Sequence, residues 1–507
     1  MEKLFKAFII AIVLASIIYI AIWVRLETLD SKMVLNYDPW WFYRYAKDIS
    51  ENNFKLPKWD YLSYYPPGRP VTIFSGWSYT IALLSKLLNL DLITTAKISP
   101  LIMVASSGIV AYILAYKITN NWIASFFAPI FVLLSPPFLS VSVAGYNDTD
   151  APVVFYFLLS VLFSLLAIEK KKIHFYVLAV LANLLFILNW GGGWITLILF
   201  FLLIPFLVVY RLIEEYIITR KINLLEITKN NLAPTILPFF IIFLATNIIG
   251  QLIGLNNMFV SFFGGLAFAA LSSYIISFVV AFSMFLVVFF SLFAITSKHK
   301  ISIVGGFVSF VFIVFLLHYY NIPTKPLIVN ISVAELQPLT TIREIMGRVE
   351  AYQVLLTFSL IPLVILATIL GRMSRVEAYQ VLLTFSLIPL VITKLLMKKR
   401  SSYLEIFLIL WSIFMIVLIT RGVRFSLLFL ISSSIASTYV ISNILNYLSK
   451  RTFAYIVVLS FFSLLAFNTI NYSIGFRFAS RGMEISDNWF EMLDWLKNNA
   501  DKDALIA

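Results

Sequence analysis

Two aspartates alternate in the short polar break Gly145-Tyr146-Asn147-Asp148-Thr149-Asp150, which separates two apolar runs. In a chain that is 61% hydrophobic and 12% charged, acids beside a membrane-length apolar run need a reason. Ionisable groups at bilayer depth are costly and usually functional. Alternate aspartates on an irregular loop can both turn toward one hard cation, because Mg²⁺ and Mn²⁺ favour carboxylate oxygen. A plainer use stays open at this point: Asp148 is also placed to cap a helix starting near Ala151. What weighs toward chemistry is the company the pair keeps. Asp38, in Asn36-Tyr37-Asp38-Pro39-Trp40-Trp41, and Glu335, in Ser332-Val333-Ala334-Glu335-Leu336, fall on the same membrane side in the topology below. So does Arg424, at the outer end of a late span. Carboxylates plus an arginine at one membrane face suit a phosphate-bearing lipid substrate: a metal neutralises phosphate charge and a guanidinium binds it in fork geometry. Asp30, Asp48 and Glu51 share that side and receive no role.

The elements that must position these residues are apolar runs of the roughly 20 residues a bilayer crossing needs. They repeat along the 507 residues and define an all-α polytopic membrane protein. The net charge of +13 (38 minus 25) lies in short loops between apolar runs, as the positive-inside bias expects, which argues against a nucleic-acid partner. Cysteine is absent, so disulfides and thiolate metal sites are excluded. His174, His299 and His318 are too few for a histidine-rich metal site. The apolar stretch 7–24 is too long for a signal-peptide core and lacks a small-residue cleavage site, so it reads as a retained first span.

With Lys3 and Lys6 inside, residues 25–94 form a first external segment. Within it, residues 71–90 are broken by Ser75, Gly76, Ser78 and Lys86 and read as an interfacial or re-entrant helix that does not cross. Spans at about 96–116 and 122–140 follow, which puts the loop 141–150 outside. A fourth span, 151–168, returns to Lys170-Lys171-Lys172 inside; two more flank the external stretch 189–194, and a seventh covers 234–253. Spans at 266–295 and 301–319 lead to an external loop, 320–347, that contains Glu335.

Residues 348–365 then recur letter for letter at 375–392, an offset of 375 − 348 = 27. Natural repeats diverge at lipid- and solvent-facing positions, so this identity reads as a sequence artefact or a recent duplication. Counting one crossing there, and spans at 403–420 and on either side of Lys450-Arg451, gives about thirteen transmembrane helices with the N-terminus inside and the C-terminus outside. Residues 1–475 thus form a transmembrane domain, and 476–507 the start of an external soluble domain that is cut short. Residues 484–499 form an amphipathic helix with Trp489, Met492, Leu493, Trp495 and Leu496 near one face.

The ordered set NYDPWWFYR, YYPPGR, AGYNDTD, SVAELQP and RGVRF resembles the catalytic subunit of the N-glycosylation oligosaccharyltransferases, archaeal single-subunit type. That resemblance implies a GT-C type glycosyltransferase. It moves a glycan from a dolichol-phosphate-type lipid to the Asn of Asn-X-Ser/Thr sequons, on the outer face of the plasma membrane and with inversion. It implies that Asp38, Asp148 and Asp150 hold Mn²⁺ or Mg²⁺, that Glu335 engages the acceptor asparagine, and that Arg424 binds the lipid phosphate. Asp38 and Glu335 are the candidate catalytic carboxylates, accepting the two amide hydrogens of the acceptor. The partners implied are a lipid-linked oligosaccharide donor, acceptor polypeptides and membrane lipid. The family often carries an arginine a few residues before the aspartate pair, where this chain has Ser140, Val141 and Ser142. The family's WWDYG sequon reader does not occur before residue 507, so this chain alone is expected to be inactive or nearly so. Two rivals stand beside it. A polyprenyl-phosphate-sugar transferase acting on lipid or Ser/Thr has no need of the Glu335 loop. A cation-coupled transporter places its acids near the bilayer midplane on broken helices, not in outer loops.

Overall fold

This computed structural model describes residues 2–63, 67–71, 75–220, 227, 233–253, 255, 399–419, 425–480 and 486–501. The spans expected at 266–295 and 301–319, the loop 320–347 and both copies of the repeat lie outside the described residues. The described chain is helical apart from one short hairpin. The helices are α1 (Glu2–Trp23), α2 (Asp38–Glu51), α3 (Gly76–Leu88), α4 (Leu92–Thr119), α5 (Phe127–Leu133), α6 (Pro136–Leu139) and α7 (Asp150–Lys170). They continue with α8 (Ile173–Asn189), α9 (Ile195–Thr219), α10 (Ala233–Leu252), α11 (Tyr403–Ile419), α12 (Ser426–Leu448), α13 (Thr452–Ala479) and α14 (Asp487–Asn499). Among the described residues seven helices are long and apolar enough to cross a membrane: α1, α4, α7, α9, α10, α12 and α13.

Hydropathy does not rank the helices by burial: α13, the least apolar span (1.5), is 25% buried. The most apolar window, in α1 (mean hydropathy 2.6), is only 11% buried, whereas α12 (1.6) is 83% buried. Lipid tails are as apolar as leucine, so an apolar helix gains little by leaving them; close backbone approach through small residues is what draws helices together. Helix α12 carries Ser432, Ser433, Ser434, Ser437, Thr438 and Ser442, all buried. Where no water is available, hydroxyls can turn back onto the helix's own carbonyls, as Ser432 does to Phe429 O (2.8 Å), Ser433 to Leu430 O (2.9 Å) and Thr438 to Ser434 O (2.8 Å). Helices α4 and α7 pack against this central helix, and α1 packs on α4.

The stretch expected to be one span over 122–140 is broken. A single 3₁₀ turn (Ala124–Phe126), α5 and α6 replace it, with Ser135 extended (ψ 146°) before Pro136. Proline disfavours the helical conformation in the residue before it, which ends α5 and redirects the chain into the aspartate loop. Helix α3 has 13 residues, about 20 Å, too short to cross. Its N-terminus lies so close to the end of α8 that a Cβ at Gly76 would stand 2.5 Å from Leu188 O. Ser75 caps it, its Oγ accepting from Ser78 N (3.2 Å).

Between α2 and α3, β1 (Trp59–Asp60) pairs antiparallel with β2 (Arg69–Pro70). Gly68, of the YYPPGR motif, has φ +93° and no room for a Cβ, which would meet Asp60 O at 2.5 Å. Asp60 ties the hairpin to α2: its carboxylate accepts from both Arg44 guanidinium nitrogens (3.1 and 2.5 Å), Tyr45 Oη (2.8 Å) and Ser63 Oγ (2.7 Å).

Candidate active site

Asp38 begins the first turn of α2 and Asp150 the first turn of α7, positions where the positive end of a helix dipole favours a carboxylate. Asp38 is exposed, and Asp148 and Asp150 are half-buried. Asp148 is not the capping residue of α7. That position belongs to Thr149, and Asp148 Oδ1 accepts from Thr149 N (2.5 Å) and Oγ1 (3.2 Å) instead.

The two acid-bearing segments are strapped to each other. Leu35 N donates to Gly145 O (2.9 Å), so Asp38 and Asp148 each lie three positions beyond one shared hydrogen bond (35 to 38, 145 to 148). Asn36 Nδ2 reaches Tyr146 Oη at 3.5 Å. Gly145 makes the crossing possible with φ +87°, and a Cβ there would lie 3.1 Å from Leu35 Cγ. A third strand of contacts comes from α4, where Lys97 O accepts from Gly145 N (3.0 Å) and Ser99 Oγ donates to Asn147 Oδ1 (3.2 Å).

A residue that the sequence did not single out organises this loop. Arg25, just past α1, is fully buried, and its hydrogen bonds go to neutral oxygens: Ser142 Oγ (2.8 Å), Ala21 O (2.8 Å) and Leu133 O (2.6 Å). Its guanidinium lies over the Phe138 ring at 5.2 Å. Ala144 N donates to Arg25 O (2.9 Å), and Thr28 Oγ1 to Ala144 O (2.7 Å). The available signal was an arginine at the outer end of the first span, against the positive-inside bias.

Among the described residues no three His, Cys, Asp or Glu side chains close into a metal-holding group. Adjacency of the segments is therefore established, and a closed cage of described carboxylates is not. Glu335 and Arg424 lie outside the described residues. A cavity of about 580 Å³ opens beside Leu35 and Trp40, with Lys32 and the α14 residues Asp487 and Phe490 on its wall.

A predominantly helical, multi-pass membrane protein with aspartates in the first turns of two strapped segments is the class these features define. A family model, "Oligosaccharyl transferase STT3, N-terminal", matches residues 8–474, and the chain belongs to that family. It is 27% identical over 190 residues to the dolichyl-diphosphooligosaccharide–protein glycosyltransferase subunit STT3B of Oryza sativa subsp. japonica, an alignment covering 35% of this chain and 26% of that one. It is 29% identical over 182 residues to dolichyl-phosphooligosaccharide-protein glycotransferase 2 of Pyrococcus horikoshii, covering 33% and 23%.

The fold is that of the archaeal oligosaccharyltransferase AglB from Archaeoglobus fulgidus. The structure of that protein with an inhibitory peptide and a dolichol-phosphate matches at TM-score 0.66 and 15% identity, over 98% of this chain and 59% of that one. The same protein with Zn and sulfate matches at TM-score 0.61 and 17% identity, over 97% and 56%. Tethered to an acceptor peptide containing the NVT sequon, it matches at TM-score 0.60 and 18% identity, over 99% and 58%. The chain thus spans well under two thirds of the length of these relatives.

Proposed function

We propose that this chain carries the transfer chemistry of an oligosaccharyltransferase. A glycan passes from a dolichol-phosphate-type lipid to the side-chain nitrogen of an Asn-X-Ser/Thr acceptor, on the outer face of the plasma membrane. The observation that carries this is the strapping of the Asp38 segment to the Asp148/Asp150 loop through Leu35 and Gly145. It gives the two halves of an acidic site one shared frame, and the A. fulgidus structures with dolichol-phosphate and with an NVT acceptor support the choice of substrates.

The donor set fits a hard divalent ion such as Mn²⁺ or Mg²⁺: the described candidates Asp38, Asp148 and Asp150 offer carboxylate oxygen alone. A relative solved with Zn and sulfate supports a divalent ion in this fold. These three side chains would hold the ion, which supplies charge neutralisation for the departing phosphate. The chain's own residues do the rest. An amide nitrogen is a poor nucleophile because its lone pair is delocalised into the carbonyl. Asp38 and Glu335, each accepting one amide hydrogen, favour a geometry in which that delocalisation weakens. The nitrogen then attacks the anomeric carbon as one amide proton passes to the carboxylate that accepts it, the carbon–phosphate-oxygen bond breaks to release the lipid phosphate, and this single displacement inverts that centre. Arg424 orients the lipid phosphate in fork geometry.

Membranes bearing the full-length protein, incubated with a lipid-linked glycan and an Asn-X-Thr peptide, test this with and without EDTA. Glycopeptide formation is expected to stop with EDTA, return with Mn²⁺, and fall on the order of 100-fold in Asp38→Ala and Asp150→Ala, as when a preorganised charge partner is lost. Transfer to lipid or to a Ser/Thr peptide in place of Asn would instead support the polyprenyl-phosphate-sugar transferase.

A further inference from the structure

One helix length from the aspartate loop, the far end of α7 borders a second cavity. Helix α7 has 21 residues, so this place lies about 30 Å from Asp150. The cavity measures about 400 Å³ and lies among α7, α9, α10 and α11, with Glu169, Lys171, Arg211, Thr235, Ser402 and Tyr403 on its wall.

Three features of that wall point to an anion. First, buried hydrogen-bond donors are left over: among the described residues Arg211 Nε and Tyr403 Oη have no partner of normal geometry, although Thr235 stands beside the tyrosine. An unmet buried donor is destabilising, so such groups in a native fold call for an explanation. Second, the acids nearby are already partnered. Glu169 pairs with Lys117 and with Lys170 (3.2 Å), Glu214 with Arg211 and with Ser401 N (2.6 Å), and Glu215 with Arg400 (2.8 Å). Glu405 accepts from Ser402 N (2.8 Å) and from Tyr439 Oη. Among the described residues Lys171 has no carboxylate partner, and Lys172 follows it into solvent. Third, the first turns of α10 and α11, with Thr235 and Tyr403, both border the cavity. Helix N-termini favour negative charge.

We propose that this cavity binds a phosphate-bearing anion, either the headgroup of an anionic membrane lipid or free phosphate, with Arg211, Lys171 and Tyr403 as donors. Basic pockets between membrane helices are a known way to hold lipid headgroups. The proposal is independent of the transfer chemistry above and of Asp38, Asp148 and Asp150.

Native mass spectrometry of the detergent-solubilised 507-residue chain tests it, with phosphatidylglycerol, phosphatidylcholine and inorganic phosphate as separate probes. The parent chain is expected to retain phosphatidylglycerol in preference to phosphatidylcholine. Tyr403→Phe is the informative variant. It removes a buried hydroxyl that has only Thr235 beside it, so thermal stability should hold, while affinity for the anion falls about tenfold, the worth of one hydrogen bond to a charged group. Lys171→Gln, at an exposed position, should weaken binding without touching the fold. If millimolar inorganic phosphate displaces the lipid and saturates the chain by itself, the site takes soluble phosphate by the same donors; if it does not, the headgroup is the occupant. Equal retention of both lipids, or unchanged phosphatidylglycerol affinity in Tyr403→Phe and Lys171→Gln, overturns the proposal. Nonspecific attraction to Lys170, Lys171 and Lys172 would be indifferent to the tyrosine hydroxyl.

Discussion

Gly145 shows how much of the candidate site rests on one missing side chain. Its φ of +87° is left-handed, and its carbonyl joins the Asp38 segment to the aspartate loop. An L-residue there carries about 1–2 kcal/mol of backbone strain, before the 3.1 Å approach to Leu35 is relieved. Gly145→Ala is therefore expected to lower the melting temperature by a few degrees and glycopeptide formation by more than its stability loss explains, since it shifts Asp148 and Asp150 against Asp38. Equal activity per folded molecule would contradict that. At Asp60, burial pushes the carboxyl up, but hydrogen bonds from Arg44, Ser63, Tyr45 and Leu62 N outweigh it and hold the group well below the usual carboxylate range. A folded value below the unfolded one contributes stability above about pH 4, and that stability is lost as pH falls through the folded value. Protease cleavage of the hairpin between α2 and α3 should thus stay flat from pH 7 to pH 4 and rise only below. Asp60→Asn should cleave readily at every pH.

At the scale of elements, α12 carries the clearest inversion of hydropathy logic. Ser434 is fully buried, and its hydroxyl has no partner. Ser434→Leu raises the apolar character of the helix yet should destabilise the protein by about 1–3 kcal/mol, because the extra carbons have no room between close-packed helices. Ser434→Ala removes an unmet hydroxyl and should be neutral or stabilising. Thermal unfolding of both variants in one detergent reads the difference. If Ser434→Leu proved the more stable, small-residue packing would not be what centres α12. Helix α7 is likewise polar at its ends, with Asp150 in its first turn and Lys170 in its last.

For the whole molecule, the question is which ends of the helices share a membrane face. The chain has no native cysteine, so single cysteines can be placed at will. Cysteines at positions 38 and 148 should react with an impermeant maleimide from one side of sealed vesicles, and a cysteine at 171 only from the other. Labelling of 38 and 148 from opposite sides would dismantle the common frame. Arg477 of α13 reaches across to Glu27 (2.8 Å) and lies over Trp23 at 4.2 Å, so it ties a late helix to the end of the first. Arg477→Ala should loosen that end by roughly 2 kcal/mol, as expected for a half-buried hydrogen bond to a charged group.

What the sequence determined by itself follows from contrast with its surroundings. Aspartates in an apolar chain, lysines massed at 170–172 and apolar runs of bilayer length are local facts, and they were enough to place the helical class, the acid loop and the ordered motifs of the family. The pair Pro136 and Pro137 was equally local, and it breaks the stretch expected as one span. Only the tertiary structure decided that Arg25 reaches Ser142, 117 positions away. It also decided that Leu35 meets Gly145 and that the serine-rich helix lies at the centre. The reason is physical. Hydropathy reports the cost of leaving water, whereas inside a bilayer the choice of neighbours depends on shape and on which buried polar atoms find partners, and neither is written at any single position.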